Sequence, residues 1–130
     1  MEVYYLTTPT ECNIYELKIN TQKVNTCHQF LGYVLFDESQ KDRFEKLISD
    51  IRTAMKLYFI GRDNCKDPGN YYYLTIPDKS DIKNIKVTSS RIEQYNSTYR
   101  YNYFCSEDEA NGLLDIIKEI FRRYGIQLDA

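Results

Sequence analysis

The residues best suited to recognition chemistry in this chain are tyrosines and an arginine that alternate near residue 100. Residues 95–104 read Tyr-Asn-Ser-Thr-Tyr-Arg-Tyr-Asn-Tyr-Phe. On a strand, Tyr99, Tyr101 and Tyr103 would share one face, and Arg100 would point the other way. Tyrosine rings pack against apolar groups and leave hydroxyls free for hydrogen bonds. The pattern is therefore typical of either a core face or a recognition surface.

The choice between these two interpretations depends on which face of the stretch is buried. Phe104 leads into a helix and suits the core, but on a regular strand Arg100 would be buried on the same face. An unpaired buried arginine is costly. The alternation therefore favours the tyrosine face as the core unless a bulge interrupts the strand.

Patterns for catalysis or metal binding are weaker. The single histidine, His28, adjoins Cys27, but neighbouring strand residues point to opposite faces, so these two cannot form a nucleophile–base dyad with each other. The four cysteines are separated by 15, 38 and 40 residues and form no paired zinc-binding motif. The glycines form no phosphate-binding or dinucleotide-binding loop. We predict no catalytic residue, no metal site and no cofactor.

Composition and charge are those of an ordinary globular chain that is rich in tyrosine. Hydrophobic residues make up 42% and charged residues 28%, and 13 of 130 residues are tyrosine. The net charge of −2 argues against a generic nucleic-acid binder, which carries a basic face. No signal peptide and no membrane-spanning run is seen. The four cysteines, Cys12, Cys27, Cys65 and Cys105, are therefore predicted to be reduced thiols of a cytoplasmic protein.

The N-terminal half is predicted to contain three strands. Residues 2–7 are β-branched and aromatic, and residues 13–19 alternate between apolar and polar side chains, as on a strand with one wet face. Residues 20–23 read as a turn. The nearly continuous apolar run 28–36 predicts a central strand, in which Gly32 marks a bulge or a close approach.

An amphipathic helix is predicted at the end of each half, because apolar residues recur there at intervals of three and four. Ser39 is expected to cap the first helix and Gly61 to end it. The second begins with the capping box 106–109 and is expected to end before Gly125. Gly112, inside this helix, predicts close packing against a strand.

The C-terminal half is predicted to contain four strands before its helix. Residues 71–76 and 85–88 read as strands, and 91–95 and 98–104 read as a hairpin around Asn96-Ser97. Residues 126–128 would suit a short edge strand.

These elements predict one α+β domain over residues 1–130. It would contain an antiparallel sheet of about six to seven strands with two amphipathic helices on one face, in the order βββα-ββββα. Both halves would end a strand on an aromatic residue just before a capped helix. Identity between the halves is negligible on inspection, so the sequence indicates a similar architecture and not a duplication.

The function favoured by these features is that of a binding protein, not an enzyme, which inhibits or neutralises a protein partner in the manner of immunity proteins or phage anti-defence proteins. Its predicted contact surface comprises Tyr71, Tyr73, Tyr99, Tyr101 and Tyr103. An exposed tyrosine-bearing sheet face would also suit a homodimer.

Two alternatives use the arginines. In the first, Arg62, Arg91 and Arg100 would contact the anionic part of a small ligand or nucleotide, on which the tyrosines would stack. In the second, tyrosine and arginine strands would bind single-stranded nucleic acid.

Overall fold

The computed structural model shows an α+β fold in which each half of the chain contributes strands and then a helix. It describes residues 2–23, 31–62 and 68–129. The strands and helices in these ranges are β1 (Glu2–Thr7), β2 (Lys18–Lys23), β3 (Leu35–Phe36), α1 (Lys41–Phe59), β4 (Gly69–Thr75), β5 (Lys86–Ile92), β6 (Tyr103–Phe104) and α2 (Glu107–Arg123).

The strands form two antiparallel sheets of three strands, in the orders β2-β1-β3 and β5-β4-β6. The α+β class is therefore confirmed, but within the described residues the strands belong to two sheets and not to the predicted single sheet of six or seven strands. The outer strands β3 and β6 have only two residues each. The chain turns just before β3 and β6, at Gly32 and Tyr101, which have positive backbone φ angles of 80° and 57°.

Several strand boundaries in the first half differ from the prediction. Residues 14–16 form a 3₁₀ turn in which the Leu17 N–H donates to the Ile14 carbonyl at 3.2 Å. The strand β2 therefore begins at Lys18 and covers the predicted turn 20–23. The predicted strand 28–36 is reduced to β3, and its residues 28–30 lie outside the described residues.

The predicted hairpin of 91–95 with 98–104 is also wrong. The Asn96 carboxamide oxygen accepts a hydrogen bond from the Thr98 N–H at 2.8 Å and starts a 3₁₀ turn over Ser97–Tyr99. The strand β6 then pairs with β4, not with β5. Because the stretch is not a continuous strand, its tyrosines do not share one face.

The helices follow the prediction more closely. The Ser106 hydroxyl accepts from the Glu109 N–H at 3.2 Å, as expected for the capping box of α2. Ser39, however, is not the cap of α1, because the Asp37 carboxylate accepts from the Ser39 N–H and caps a 3₁₀ turn before the helix. Residues 126–128 are not a strand.

One cluster of buried side chains fills the space between helices and sheets and draws on both halves of the chain. Helix α1 contributes one apolar stripe, and α2 contributes another. Leu6 of β1 and Leu74 of β4 are fully buried beneath them. Burial of these stripes provides the main favourable free energy of folding.

The two halves repeat each other at a constant offset of 68 residues through all three strands. Between residues 2 and 36, nine residues are identical at this offset: Tyr4/Tyr72, Tyr5/Tyr73, Leu6/Leu74, Thr7/Thr75, Pro9/Pro77, Ile14/Ile82, Lys18/Lys86, Tyr33/Tyr101 and Phe36/Phe104. The 3₁₀ turn and the three strands of the first half recur in the second half in the same order and pairing. The prediction of negligible identity is therefore wrong, and the halves form an internal repeat.

Contacts between the halves are reciprocal. The Thr8 N–H donates to the Lys79 carbonyl at 2.9 Å, and the residue 68 positions after Thr8, Ile76, donates to the Glu11 carbonyl at 3.0 Å. Lys79 and Glu11 are themselves 68 residues apart. Reciprocal contacts of this kind are the signature of a two-fold interface. The two halves are therefore related by an approximate two-fold axis, as in a dimer joined into one chain.

The helices obey the same relation at an offset of 66, because the connection from β6 to α2 is two residues shorter than that from β3 to α1. The Tyr58 hydroxyl donates to the Glu109 carbonyl of α2 at 2.7 Å. In the other half, the equivalent Tyr124 ring lies 5.3 Å from the guanidinium carbon of Arg43, which is the equivalent of Glu109. The two helices therefore also contact each other reciprocally.

Gly112 of α2 lies where the two helices pack closely against each other. A Cβ atom at this position would overlap the Tyr58 hydroxyl and lie 3.2 Å from its Cζ atom. Close packing at Gly112 is thus confirmed, but against a helix and not against a strand. We expect Gly112→Ala to lower the free energy of unfolding by about 1 kcal/mol, because overpacking outweighs a gain of about 1 kcal/mol in helix propensity.

Urea unfolding of a double-mutant cycle checks this expectation. In a Tyr58→Phe background the overlapped hydroxyl is gone, so alanine at position 112 should cost less than it does beside tyrosine. An alanine that stabilises the protein with Tyr58 intact would show that the helices have room to separate.

Candidate recognition surface

Five side chains from both halves surround a shallow surface depression of about 170 Å³. They are Phe59, Tyr95, Arg100, Tyr101 and Tyr103, and we call this group the aromatic–cation patch. It combines the residue types that most often dominate binding energy in protein interfaces.

Different elements position the rings of the patch. Phe59 is the last residue of α1, and Tyr103 lies on β6. The Phe59 ring centroid lies 5.7 Å from that of Tyr101 and 5.8 Å from that of Tyr103. Tyr95 completes the group at 5.2 Å from Tyr103. The rings therefore hold one another in place, which limits the conformational entropy lost on binding.

Arg100 lies at the exposed edge of the patch. Its guanidinium carbon is 5.1 Å from the Tyr101 ring centroid and 5.6 Å from that of Tyr15. Its Nη2 atom lies 3.5 Å from the Tyr101 hydroxyl. This hydrogen bond, together with the charges of Arg100 and Lys56, lowers the pKa of Tyr101. Arginine and lysine thus make the surface around the Tyr101 hydroxyl electropositive.

Two of the five tyrosines predicted to bind a partner lie beneath the patch and not on it. Tyr71 is 0% exposed and Tyr73 is 7% exposed, and with Ile92 they form a second core on the face of the β5-β4-β6 sheet that is turned away from the helices. The Tyr71 ring meets Tyr103 edge-on at 4.9 Å, and Tyr73 meets Tyr99 at 5.2 Å. Both buried tyrosines therefore support the surface residues.

Tyr99, Tyr101 and Tyr103 are half-buried and remain available at the surface. The sequence pattern included Tyr95 as well, but gave no reason to include Phe59 or Tyr15. Phe59 lies four residues after Met55, at the edge of the apolar stripe of α1, and packs against the main core. A second aromatic residue beside Tyr58 at the helix end is the signal that would have identified it.

Arg62 and Arg91, which were predicted with Arg100 to bind an anion, have carboxylate partners of their own. Arg62 stacks on the Tyr58 ring at 3.4 Å and pairs with Glu109 at 3.7 Å. Arg91 pairs with Glu93 at 2.6 Å. Among the three arginines, Arg100 is the one that contributes to the patch.

Titration of the half-buried Tyr99 gives a prediction about alkaline pH. Burial raises the pKa of Tyr99 above its ordinary value of 10.0, and the neighbouring Cys12 and Tyr73 raise it further. The folded protein therefore holds this proton more tightly than the unfolded chain. Its stabilising effect is complete below the unfolded pKa of about 10 and is lost as the pH rises through the folded pKa.

We accordingly expect the melting temperature to fall as the pH is raised past about 10. A Tyr99→Phe variant, which has no proton to lose at this position, should show a smaller alkaline fall when both proteins are melted across the same pH series. Identical pH profiles for the two proteins would contradict this assignment.

The internal repeat supplies a comparison for the patch within the same chain. At the equivalent positions of the other half, Arg100 is replaced by Gly32 and Tyr103 by Leu35, while Phe59 has no helical equivalent because α2 ends at Arg123. Tyr101 is matched by Tyr33, and Tyr15 is replaced by Lys83. Because the first half has glycine where the second has Arg100 and leucine where it has Tyr103, the repeated fold does not itself require these two side chains.

The cysteines differ from the prediction of four reduced thiols. Cys105 is disulfide-bonded, so the prediction is wrong for this residue. Cys12 is a free thiol whose pKa is raised chiefly by burial. A raised pKa reduces the thiolate fraction and makes Cys12 a poor nucleophile. Cys27, His28 and Cys65 lie outside the described residues.

Within the described residues, no group of three His, Cys, Asp or Glu side chains is arranged to hold a metal ion. None of the helices in the same ranges is both long enough and apolar enough to cross a membrane. Comparison with protein families, with curated proteins and with solved structures finds no match. The case for function therefore depends on the patch itself.

Proposed function

We propose that this chain is a non-enzymatic binding protein that inhibits or neutralises a protein partner, and that the aromatic–cation patch is its contact surface. The observation that carries the proposal is the asymmetry of the repeat. The two halves share strands, turns and helices, yet the arginine and most of the surface rings occur at only one of the two equivalent positions. Residues that folding does not require are candidates for binding.

The composition of the surface supports a protein partner. Tyrosine and arginine are enriched among residues that dominate protein–protein binding, where they pack into desolvated pockets. Ile60, which directly follows Phe59 at the end of α1, is an apolar side chain that is 62% exposed. An exposed apolar surface beside an anchored arginine suits a contact with an apolar centre and a charged rim.

Affinity capture from a lysate of the native host tests the proposal with a matched pair of variants. The Arg100→Ala/Tyr101→Ala double variant removes the centre of the patch. Tyr33→Ala removes the tyrosine at the equivalent position of the other half and serves as the control. We expect a partner captured by the unchanged protein and by Tyr33→Ala to be lost, with at least a tenfold weaker affinity, in the double variant.

Purified partner then gives two further readouts. Its activity should fall when the unchanged protein is added, and association should slow as salt is raised, because charge steers the encounter. Equal capture by the patch variant and the unchanged protein would remove the patch as the contact surface. Capture without any effect on the partner's activity would contradict inhibition.

A further inference from the structure

We infer that the partner segment that docks on the aromatic–cation patch is acidic, with a carboxylate bound by Arg100 and an apolar side chain seated in the depression. This inference depends on the proposed function, since it names the chemistry of the partner for the same surface.

The state of Arg100 is the first argument. Four other arginines of the described residues have carboxylate partners: Arg62 with Glu109, Arg91 with Glu93, and Arg122 and Arg123 with Glu119. No carboxylate within the described ranges pairs with Arg100, which is exposed. Its Nη2 atom donates to the Tyr101 hydroxyl at 3.5 Å, and the remaining N–H donors of the guanidinium can bind a carboxylate through two parallel hydrogen bonds.

The surrounding charge is the second argument. Lys56 of α1 lies close enough to act on the Tyr101 hydroxyl together with Arg100, so two cations converge on this part of the surface. The chain as a whole has a net charge of −2. A local positive surface on an otherwise acidic protein orients an acidic segment toward the patch and repels it elsewhere.

The packing of the rings favours a peptide over a nucleic acid. Single-stranded nucleic acids stack their bases on open aromatic faces. Here the Tyr101 ring is met at steep angles by Tyr15 at 4.7 Å and by Phe59 at 5.7 Å. The Tyr101 ring is thus packed between neighbouring rings and Arg100, which leaves less of its face open to stack on a base.

A displayed library of random short peptides tests the inference without knowledge of the partner. The unchanged full-length protein, an Arg100→Gln variant, a Lys56→Gln variant and an Arg91→Gln control are each used for selection. We expect peptides enriched in Asp and Glu next to an apolar residue with the unchanged protein and the control. Enrichment of acidic residues should disappear with Arg100→Gln and decrease with Lys56→Gln.

The outcomes separate this inference from the proposed function. Selected peptides that bind the patch but lack acidic residues would overturn the acidic partner and leave the protein-binding role intact. Failure to select any peptide that competes at the patch would count against both.

Competition with defined polymers adds an independent measurement. We expect poly-L-glutamate to displace a selected peptide in a salt-dependent manner, with at least a tenfold weaker effect on Arg100→Gln than on the unchanged protein. If a thymidine oligonucleotide displaces the peptide more effectively than poly-L-glutamate, the surface is a nucleic-acid site and the inference fails.

Discussion

Replacement of Asn102 by alanine is expected to lower the free energy of unfolding by roughly 3 kcal/mol or more, which would be among the largest effects of any single change in this chain. Asn102 is fully buried. Its carboxamide oxygen accepts from the Leu74 N–H at 3.1 Å, and its nitrogen donates to the carbonyls of Leu74 at 2.9 Å and Cys12 at 2.8 Å.

The size of the effect follows from what alanine would leave behind. Three backbone groups inside the protein would lose their partner, and each such group costs about 1–3 kcal/mol. The equivalent position in the other half shows the role that the side chain performs. There the backbone carbonyl of Val34 accepts from the Leu6 N–H at 3.3 Å. The Asn102 side chain thus replaces a backbone partner where the turn at Tyr101 has moved the chain away.

Urea unfolding followed by tyrosine fluorescence measures the loss, with Asn96→Ala as the control. Asn96 is exposed and makes one capping hydrogen bond, so its replacement should cost about 1 kcal/mol or less. Equal losses at both positions would mean that water reaches the backbone around Leu74 and that Asn102 does not carry the role assigned to it.

Gly32→Ala is expected to be the second large effect, with a loss of about 2–4 kcal/mol in the free energy of unfolding. Gly32 has a φ of +80°, which a Cβ atom makes unfavourable. The same atom would overlap the Asp81 carboxylate and lie 3.2 Å from Asn84 Nδ2. The backbone cannot easily move away, because the Lys83 N–H donates to the Gly32 carbonyl at 3.0 Å.

Two further variants distinguish the cost of the left-handed backbone conformation from the cost of the steric overlap with Asp81. Gly61 has a φ of +85° with nothing within 4 Å of its Cβ position, so Gly61→Ala should report the backbone cost alone, about 1 kcal/mol. Asp81→Ala removes the overlapped carboxylate and should recover part of the Gly32→Ala loss. If Gly61→Ala and Gly32→Ala lower the melting temperature equally, the Asp81 side chain moves aside without cost and the steric overlap does not contribute.

Local features of the chain were predictable because local physics determines them. The helical spacing from Phe44 to Tyr58 indicated α1, and the capping box at Ser106 set the start of α2 within one residue. Both depend on contacts between residues at most four positions apart. The α+β class followed from the same patterns.

The candidate site was predicted only in part. Alternation between Tyr99 and Tyr103 suggested one tyrosine face, but alternation specifies faces only while the strand is continuous. The Asn96 cap and the left-handed residue Tyr101 interrupt it, and the rings turn toward different neighbours. Burial of Tyr71 beneath the patch likewise depends on residues far away in the sequence.

The two halves were predicted to share an architecture, but the identity between them was not recognised. The nine identical residues are spread over residues 4–36, and the match shifts from 68 residues in the strands to 66 in the helices. The sequence by itself therefore determined the helices, the apolar faces and the fold class, since these arise from neighbours along the chain. Only the tertiary structure decided that Asn102 reaches Cys12, 90 residues away, and that Phe59 meets Tyr101. Such contacts depend on how the halves pack about their two-fold axis, which no local pattern encodes.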